Sequence, residues 1–406
     1  MIQTCLIIGA SHAAAQLAPS LRQEGWEGKI VVIGEEENLP YHRPPLSKAY
    51  LLGQKAADDM LIRSEEIYSR SGIELRLGRR VTAIHRPDKT VTLDNGETLV
   101  YDKLALCTGA RARQIVLPGS ELQGIHYLRN IQDADAIRNE ARSGQRAVIA
   151  GGGYIGLEVA AALRGLGMQV TVLEAASRVL ARVTAPEVSE FFKRIHEEES
   201  VSICTGTQVS GFEGNGRLSA VFCSDGQRLP ADLVVIGIGV VPNTELAAAA
   251  GLDVGDGIVV DESALTSDPD IVAAGDCTLH PSRLYGLIRL ESVPNASEQA
   301  RTAAATLCGK SKPYDALPWF WSDQYDLKLQ IAGLNRGYER IVIRGDRHQG
   351  RSFAVFYLKE GKLIAADCIN RSQEFMLGKR LIASGAVVDT DALADDNIGI
   401  RELLST

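Results

Sequence analysis

Apolar and polar positions along this chain follow a strand–turn–helix–strand pattern that occurs twice. The first copy, "TCLIIGASHAAAQLAPSL" (4–21), reads as an apolar strand, a glycine turn and an Ala/Leu-rich helix, and the strand "KIVVIGEE" then ends near Glu35. The second copy, "QRAVIAGGGYIGLEVAAALRGLGMQVTVLEAASRVL" (145–180), has the same order and a second strand that ends in Glu174. Short apolar strands alternating with helices predict parallel sheets, so we expect an α/β fold.

Each copy places a turn of small residues between its first strand and its helix. The second copy has the full G-x-G-x-x-G spacing from Gly151 to Gly156, whereas the first copy has Gly9, Ser11 and Ala14. The first glycine makes a tight turn, the second lets the backbone approach a pyrophosphate, and the third lets the helix pack on the strand. Ser11 and Ala14 are small enough to keep most of that approach. We therefore expect two dinucleotide sites, the alternative being one site and a structural mimic.

The segments that end the two halves also resemble each other. "LVYDKLALCTGARAR" (99–113) and "LPADLVVIGIGVVPN" (229–243) both run from polar residues through an aspartate into an apolar strand and a glycine turn. We interpret them as the last strands of two domains, where the chain passes from one domain to the other. A further segment, "TSDPDIVAAGDC" (266–277), predicts a short buried strand that ends in Gly275 and Asp276.

Composition limits the class of protein. A chain of 406 residues exceeds one compact core, so two or three domains are expected. The net charge of −8 argues against a general nucleic-acid binder. Seven scattered cysteines without C-x-x-C and seven dispersed histidines predict no disulfide framework, metal site or protein-bound iron–sulfur cluster. The N-terminus shows no charged leader, and the apolar run 233–242 is too short for a membrane helix, so we expect a cytoplasmic protein with no membrane contact.

Several segments together carry a family resemblance. They are "PYHRPPLSKAYL" (40–51), "GGGYIGLEVAA" (151–161), "GIGVVPN" (237–243), "AAGDC" (273–277), "ESVPNASEQA" (291–300) and "PWFWSDQYDLKLQ" (318–330). The chain resembles, over its whole length, the FAD-dependent ferredoxin reductases of bacterial oxygenase systems, the putidaredoxin reductase type with a glutathione reductase-like fold. The resemblance implies two Rossmann-like domains and a C-terminal α+β domain. The expected bounds are 1–111 with 243–315 for FAD, 112–242 for NAD, and 316–406 for the C-terminal domain.

The resemblance also implies which residues hold the two cofactors, and it implies no metal ligand. Those expected at FAD are Gly9, Ala13, Glu35, Lys48, Val81, Arg129, Asp276 and Val293. Further residues expected to bind a cofactor are Ser11, Ala14, Arg43, Thr108, Gly109, Gly275, Glu291 and Trp319. Those expected at NADH are Gly151, Gly152, Gly153, Tyr154, Ile155, Gly156, Glu174 and Gly239.

Two acids at strand ends bear on nucleotide choice. Glu35 and Glu174 follow the second strand of their copies, where a carboxylate can accept hydrogen bonds from a ribose 2′-hydroxyl. Glu174 would also repel the 2′-phosphate of NADPH, which favours NADH. Arg178 and Arg182 lie close in sequence and could weaken that discrimination.

The resemblance assigns the catalytic positions to Lys48 and Glu158, because the family's matching lysine lies beside the flavin and pairs with the matching glutamate. Segment 291–307 predicts a helix with Pro294 in its first turn, where proline costs no helical hydrogen bond. The positive end of that helix would face the flavin.

Trp319 and Trp321 leave two interpretations open. They would either screen the flavin ring, which we favour, or anchor the core of the C-terminal domain.

The function implied by the resemblance is that of an NADH:ferredoxin oxidoreductase. It would take hydride from NADH and pass single electrons to an acidic, transiently bound [2Fe-2S] ferredoxin that serves a dioxygenase or a cytochrome P450. The segment 301–351 holds nine Lys/Arg against five acids, which predicts either a basic docking face or scattered solvated charge.

Two other classes remain as alternatives. One is a flavin NADH oxidase or disulfide-reductase relative, which needs a low-pKa cysteine that "PYHRPPLSKAYL" lacks. The other is a protein like apoptosis-inducing factor that acts through DNA or partners, which the acidic balance disfavours.

Overall fold

A computed structural model describes residues 3–404. Over that range the chain divides into two compact units. The first unit comprises residues 3–42, 57–111 and 240–318, and the second comprises residues 43–56, 112–239 and 319–404. Both units are therefore assembled from segments that are distant in sequence.

The elements are numbered in chain order. The strands are β1 (Thr4–Ile8), β2 (Lys29–Gly34), β3 (Ile73–Leu77), β4 (Val81–His85), β5 (Thr90–Leu93), β6 (Thr98–Val100), β7 (Lys103–Leu106), β8 (Ala110–Ala112), β9 (Ile125–Tyr127), β10 (Arg146–Ala150), β11 (Gln169–Glu174), β12 (Val201–Thr205), β13 (Val209–Asn215), β14 (Arg217–Cys223), β15 (Arg228–Pro230), β16 (Leu233–Ile236), β17 (Val240–Pro242), β18 (Val254–Gly255), β19 (Gly257–Val259), β20 (Ile271–Ala273), β21 (Thr278–Ser282), β22 (Gly286–Ile288), β23 (Trp319–Gln324), β24 (Leu327–Gly333), β25 (Arg340–Asp346), β26 (Ser352–Lys359) and β27 (Lys362–Ile369). The helices are α1 (His12–Glu24), α2 (Glu65–Arg70), α3 (Ile131–Glu140), α4 (Tyr154–Gly165), α5 (Pro186–Glu198), α6 (Glu245–Ala249), α7 (Val293–Leu307), α8 (Ser372–Ser384) and α9 (Thr390–Ala394), with short 3₁₀ turns at Pro44–Ser47, Asp58–Met60 and Glu402–Leu404.

The first unit is built on a parallel sheet with the strand order β20-β7-β1-β2-β3. The central strands are apolar and buried on both faces, as parallel strands between helices require. On one face α1 packs against α7, and the contact is lined by small and aliphatic side chains, among them Ala14, Leu17, Ala300 and Ala304. Because alanines dominate, the two helices approach closely beside the sheet.

The second unit repeats this plan. Its parallel sheet has the order β12-β11-β10-β16-β9, so β10, β11, β12 and β16 occupy the places of β1, β2, β3 and β7. In both units a three-stranded antiparallel sheet is inserted at the same point of the chain, β4-β5-β6 in the first and β13-β14-β15 in the second. The predicted internal repeat and the α/β class are confirmed, and the repeat is longer than the glycine turns alone indicated.

An aspartate fixes the strand entry in each repeat. The backbone N–H of Thr4, at the start of β1, donates to Asp102 Oδ2 at 2.6 Å. The N–H of Arg146, at the start of β10, donates to Asp232 Oδ2 at 2.9 Å. Each aspartate precedes the strand that lies next to β1 or β10, so the polar-Asp-strand pattern of the sequence has a structural cause.

The C-terminal part of the second unit is an antiparallel sheet, β23-β24-β27-β26-β25, covered by α8. Gly378 on α8 lies so close to Ala366 that an added Cβ would be 3.0 Å from the alanine Cβ, which fixes the helix tightly on the sheet. The strands and the helix confirm the predicted α+β character, and β25, β26 and β27 are joined as antiparallel hairpins.

The predicted helix over 291–307 is observed as α7, Val293–Leu307. The Ser292 hydroxyl caps it by accepting from the Asn295 N–H, and Pro294 lies in the first turn as expected. Among the described helices, none is both long and apolar enough to cross a membrane.

Candidate active site

The glycine turn between β10 and α4 is shaped by two close backbone contacts. Gly151 has φ +115°, and a Cβ there would lie 2.4 Å from the carbonyl oxygen of Gly237. A Cβ at Gly156 would lie 2.0 Å from the Gly151 carbonyl oxygen. At Gly153, in contrast, a Cβ would meet no described atom within 4 Å. The turn thus closes tightly on the sheet and leaves space above it, beside the N–H groups of the first turn of α4 (Tyr154, Ile155), which suits a pyrophosphate.

Glu174 lies at the end of β11 beside this turn. Its carboxylate accepts from the Gly152 N–H at 2.6 Å and from the Ala176 N–H at 2.7 Å. These two bonds hold the acid next to the glycines, where a ribose would lie. The Arg178 guanidinium is engaged elsewhere, with the Thr184 carbonyl and the Ser189 hydroxyl. Because these bonds fix the Arg178 guanidinium, we do not expect it to neutralise Glu174.

Gly239 completes the nucleotide set expected in the second unit. It has φ +97°, a conformation that favours glycine, and lies in the turn that follows β16. A Cβ at this position would lie 3.9 Å from the Arg182 guanidinium, so Arg182 lies beside this turn.

The equivalent turn of the first unit has the same backbone geometry. Gly9 has φ +108°, and a Cβ there would lie 2.1 Å from the Cys107 carbonyl oxygen, the counterpart of the Gly151 contact. Ser11 caps α1 with an extended backbone, and its side chain makes no capping bond to the helix. The first copy of the fingerprint keeps the geometry of the second although it lacks two of the glycines.

Three elements of the first unit meet beside that turn. Gly275 has φ +91°, and a Cβ there would lie 3.3 Å from the Cβ of Ala13 on α1 and 3.6 Å from that of Ala296 on α7. The Gln299 side chain accepts from the Gly275 N–H at 2.8 Å and fixes the loop that carries Asp276. The start of α1, the loop after β20 and the start of α7 at Val293 thus lie together, as a site for the flavin nucleotide requires.

The remaining predicted residues of the first unit lie in different surroundings. Val81 is buried at the start of β4, and the Glu35 side chain is largely exposed just after β2. The Thr108 hydroxyl donates to the Asn243 carbonyl at 2.7 Å, and Gly109 follows with φ +64°. Glu291 forms an ion pair with Arg289. Ala14 is buried in the contact between α1 and α7.

In the second unit, the predicted catalytic residues form a direct ion pair. Lys48, after the Pro44–Ser47 turn, donates from Nζ to Glu158 Oε2 at 2.6 Å. Glu158 lies on α4, five residues after Gly153, so the helix that begins at the Gly151–Gly156 turn also carries the acid. Arg43, at the start of the same segment, donates to the Arg129 carbonyl at 2.7 Å. The segment 43–48 is thereby held against α4 and the chain before α3.

Two further residues hold the Glu158 carboxylate and were not identified from the sequence. The Ser47 hydroxyl donates to Oε2 at 2.5 Å and the Ser322 hydroxyl donates to Oε1 at 2.6 Å. The Glu158 side chain is only 1% exposed, so these donors and Lys48 offset the cost of burying its charge. A polar residue inside "PWFWSDQ" at a position facing the core was the available signal for Ser322.

The two tryptophans lie on the opposite face of β23 from Ser322. The Trp319 and Trp321 rings are 5.6 Å apart, and the Lys379 ammonium lies 5.4 Å from the centre of the Trp319 ring. Trp319 also contacts Phe375 of α8. The pair forms a partly exposed aromatic surface that packs on α8 on one side.

The cysteines differ from those of a thiol-dependent flavoenzyme. Burial raises the pKa of six thiols above their ordinary value: Cys5, Cys107, Cys223, Cys277, Cys308 and Cys368. A redox cysteine at a flavin needs the opposite, a lowered pKa. All seven cysteines are free thiols.

The local excess of basic residues over 301–351 does not form one free basic face. Five of the nine basic side chains are in ion pairs with acids: Arg301, Lys310, Arg344, Arg347 and Arg351. Arg344 is buried and also donates to the carbonyls of Asp395 and Ile398. The interpretation as scattered charge describes this segment better than a docking face does.

Comparison with known protein families identifies the family of this chain. The pyridine nucleotide-disulphide oxidoreductase family matches residues 3–300, and the reductase C-terminal family matches residues 319–404. The chain belongs to the pyridine nucleotide-disulphide oxidoreductase family.

Relatives within this oxidoreductase family are similar over their full length. Putidaredoxin reductase of Pseudomonas putida is 46% identical over 407 residues, which cover 98% of this chain and 96% of the relative. The ferredoxin–NAD(+) reductase component of the anthranilate 1,2-dioxygenase system of Burkholderia cepacia is 43% identical over 401 residues, 98% of each chain. The covalent putidaredoxin reductase–putidaredoxin crystal structure superposes with a TM-score of 0.96 at 46% identity, covering 99% of this chain and 98% of that one.

These matches confirm the predicted resemblance to ferredoxin reductases of the putidaredoxin reductase type and the predicted glutathione reductase-like fold. They also confirm an oxidoreductase of the class that uses NAD(H) and FAD. The assignment of individual residues to FAD or NADH, and the three domain bounds, stay predictions.

Proposed function

We propose that this oxidoreductase transfers electrons from NADH to a [2Fe-2S] ferredoxin that serves a dioxygenase or a cytochrome P450. Bound FAD would supply the conversion of one hydride into two single electrons. The observation that carries the proposal is the buried Lys48–Glu158 pair on the helix that starts at the nucleotide turn. The pair lies in the second unit, near the residues expected to hold NADH.

The residues present fit two dinucleotides. Around Gly153 and Glu174 the second unit offers open space, helix N–H groups and a fixed carboxylate, which suit the pyrophosphate and ribose of NADH. Around Gly9, Ser11 and Gly275 the first unit offers the same tight turn and small residues, which suit FAD. In this proposal Asp276 and the start of α7 at Val293 face the flavin ring system.

Lys48 would orient the nicotinamide and keep a positive charge beside it. Its ammonium is bound by Glu158 Oε2 and also donates to the Pro44 carbonyl at 3.1 Å, so its position is set before a nucleotide arrives. Such preorganisation lowers the barrier of a transfer that depends on the alignment of two rings. The protein needs no acid–base dyad for this chemistry.

The ferredoxin partner is supported by what the relatives' names state. They include the putidaredoxin reductase and the ferredoxin–NAD(+) reductase component of the anthranilate dioxygenase system. We expect the encounter with an acidic ferredoxin of this kind to be transient. We expect no nucleic-acid partner, since the chain carries a net charge of −8.

The alternative of an NADH oxidase or disulfide-reductase relative has less support. The raised thiol pKa values and the lack of cysteine in 40–51 argue against a redox thiol at the flavin. The same reduced, buried thiols favour a reducing compartment, and we place the protein in the cytoplasm.

Anaerobic stopped-flow spectroscopy tests the proposal. The purified protein should be yellow after incubation with FAD, and NADH should bleach it with the uptake of one electron pair. Subsequent mixing with candidate [2Fe-2S] ferredoxins should restore the colour. A protein that stays colourless with FAD, keeps its colour under NADH, or takes up two electron pairs would overturn the proposal.

A further inference from the structure

Strand β23 has two different faces. Trp319 and Trp321 lie on one face and are partly exposed, whereas Ser322 and Gln324 are each 1% exposed. Since side chains alternate along a strand, Ser322 and Gln324 share one face and point into the second unit. Two uncharged polar side chains buried on the same face need hydrogen-bond partners.

Their partners form a continuous chain that ends at Glu158. Gln324 Nε2 lies 3.1 Å from Ser322 Oγ, and Ser322 Oγ lies 2.6 Å from Glu158 Oε1. At the other end Gln324 Oε1 lies 2.8 Å from His196 Nε2 on α5, and His196 Nδ1 lies 3.1 Å from the Tyr325 hydroxyl. The Tyr325 ring also meets the His196 ring edge-on at 5.1 Å.

The carboxylate sets the direction of every bond in this chain. An ionised carboxylate only accepts, so the Ser322 hydroxyl must donate to Glu158 and is free to accept from the Gln324 amide. The amide oxygen of Gln324 then faces His196, which must donate from Nε2. His196 Nδ1 is left as an acceptor for the Tyr325 hydroxyl. Four successive donors therefore point toward Glu158, and such aligned dipoles stabilise its negative charge together.

The histidine is suited to this place because it is neutral. His196 is completely buried on α5, and burial lowers its pKa. A neutral imidazole has one donor and one acceptor nitrogen, and the chain uses both. No member of the chain besides Glu158 is expected to touch a nucleotide.

We propose that Ser322, Gln324 and His196 are positioning residues that orient the Glu158 carboxylate and, through it, the Lys48 ammonium. Glu158 Oε1 is held by this chain, and Oε2 remains for Lys48 and Ser47. This inference rests on the proposed function for the importance of Lys48, but the chain itself is testable without any cofactor.

The first test is the state of the His196 ring in the protein without nucleotide. Ring-¹⁵N histidine labelling, with the signal assigned through His196→Gln, should show a neutral imidazole protonated at Nε2. Ser322→Ala should shift that signal although Ser322 does not touch His196. Ser20→Ala is the control, since Ser20 is a buried serine on α1 of the first unit that accepts from the Gln16 side chain. An imidazole protonated mainly at Nδ1, or a signal that Ser322→Ala leaves in place, would overturn the inference.

The second test separates positioning from stability. Ser322→Ala and Gln324→Leu should lower the limiting rate of flavin reduction by NADH roughly 3- to 30-fold, with the NADH concentration at half saturation nearly unchanged. Ser322→Thr, which keeps the hydroxyl, should recover most of the rate, and Ser20→Ala should retain it. If folded Gln324→Leu reacts at the wild-type rate, the inference is wrong. If the wild-type protein itself is not reduced by NADH, the proposed function fails, and the histidine signal still decides on the chain.

Discussion

Lys48 and Glu158 are 110 positions apart in the chain, yet the lysine ammonium lies 2.6 Å from the carboxylate. The glutamate is almost completely buried and the lysine is about one-fifth exposed. The pair thus joins an enclosed carboxylate to a lysine side chain that keeps some contact with solvent. We expect this ion pair to contribute both to the rate of flavin reduction and to the stability of the second unit.

Replacing Lys48 with Met should impair both properties. We expect flavin reduction by NADH to slow roughly 10- to 100-fold, because the nicotinamide loses a fixed contact. The free energy of unfolding should fall by about 1–3 kcal/mol, since Glu158 keeps its two serine donors but loses its counter-charge. Stopped-flow absorbance and denaturant unfolding measure the two effects. Lys55→Met, at an exposed lysine of the same unit, serves as the control, and equal rates for both variants would contradict the role of Lys48.

Replacing Glu174 should change the choice of nucleotide. Without its negative charge, Glu174→Ser should accept NADPH better, and it should lose roughly 10-fold in kcat/KM for NADH because a ribose acceptor is removed. Some of this loss will come from the glycine turn, since Glu174 also holds the Gly152 N–H. Steady-state kinetics with both nucleotides give the ratio. An unchanged preference for NADH would show that the discrimination lies elsewhere.

His280 should make the first unit sensitive to acid. Its ring is buried on β21, and neither ring nitrogen has a hydrogen-bond partner within the described part of the chain. Burial lowers the pKa of His280 to about 4, below the ordinary value of about 6.5. The unfolded chain therefore takes up a proton at a higher pH than the folded protein does. The stability that neutral His280 contributes is complete above about pH 6.5 and is lost as the pH falls toward 4. The loss amounts to at most about 3 kcal/mol.

Unfolding midpoints between pH 4 and pH 7 test this expectation. His280→Leu should flatten the pH dependence over that window, whereas the same change at the exposed His85 should leave the slope as it is. Parallel slopes for His280→Leu and the wild type would contradict a buried neutral histidine.

The buried Asp367 carboxyl should make the second unit less stable as the pH rises, the opposite of the effect of His280. Burial raises the pKa of Asp367 to about 7, although the Tyr357 hydroxyl donates to Oδ2 at 2.5 Å. The folded state thus holds a proton that the unfolded chain releases near pH 4, and stability is lost as the pH rises from about 4 to 7. Asp367→Asn should raise the free energy of unfolding at pH 8 by up to about 4 kcal/mol and change it little at pH 4.

Tyr357→Phe supplies the counterpart to that experiment. The Tyr357 hydroxyl is the donor to Asp367 and also accepts from the Ala185 N–H at 2.9 Å. Its loss should destabilise the second unit more at pH 8 than at pH 5, because the ionised carboxylate depends on that donor most. An Asp367→Asn substitution that changes the free energy of unfolding equally at pH 4 and pH 8 would show that folding does not raise the pKa of Asp367.

Much of the fold was predictable because its signals are local in sequence. The apolar strands followed by glycine turns identify β1, β2, β10 and β11, since the period of hydrophobic residues and the steric demands of a tight turn act over a few neighbouring positions. The repeat and the helix α7 were predicted on the same basis. The family resemblance then suggested the Lys48–Glu158 pair.

The tertiary structure decided which polar groups meet. Ser47 and Ser322 reach the same carboxylate from positions 111 and 164 residues away from Glu158, and nothing local marks either serine as its partner. The ion pairs that neutralise Arg344, Arg347 and Arg351 are likewise formed with acids from other elements, so a count of charges along 301–351 overstated a basic face. Periodicity determines which side of a strand or helix is buried, but the partner of a buried polar atom depends on how distant elements pack together.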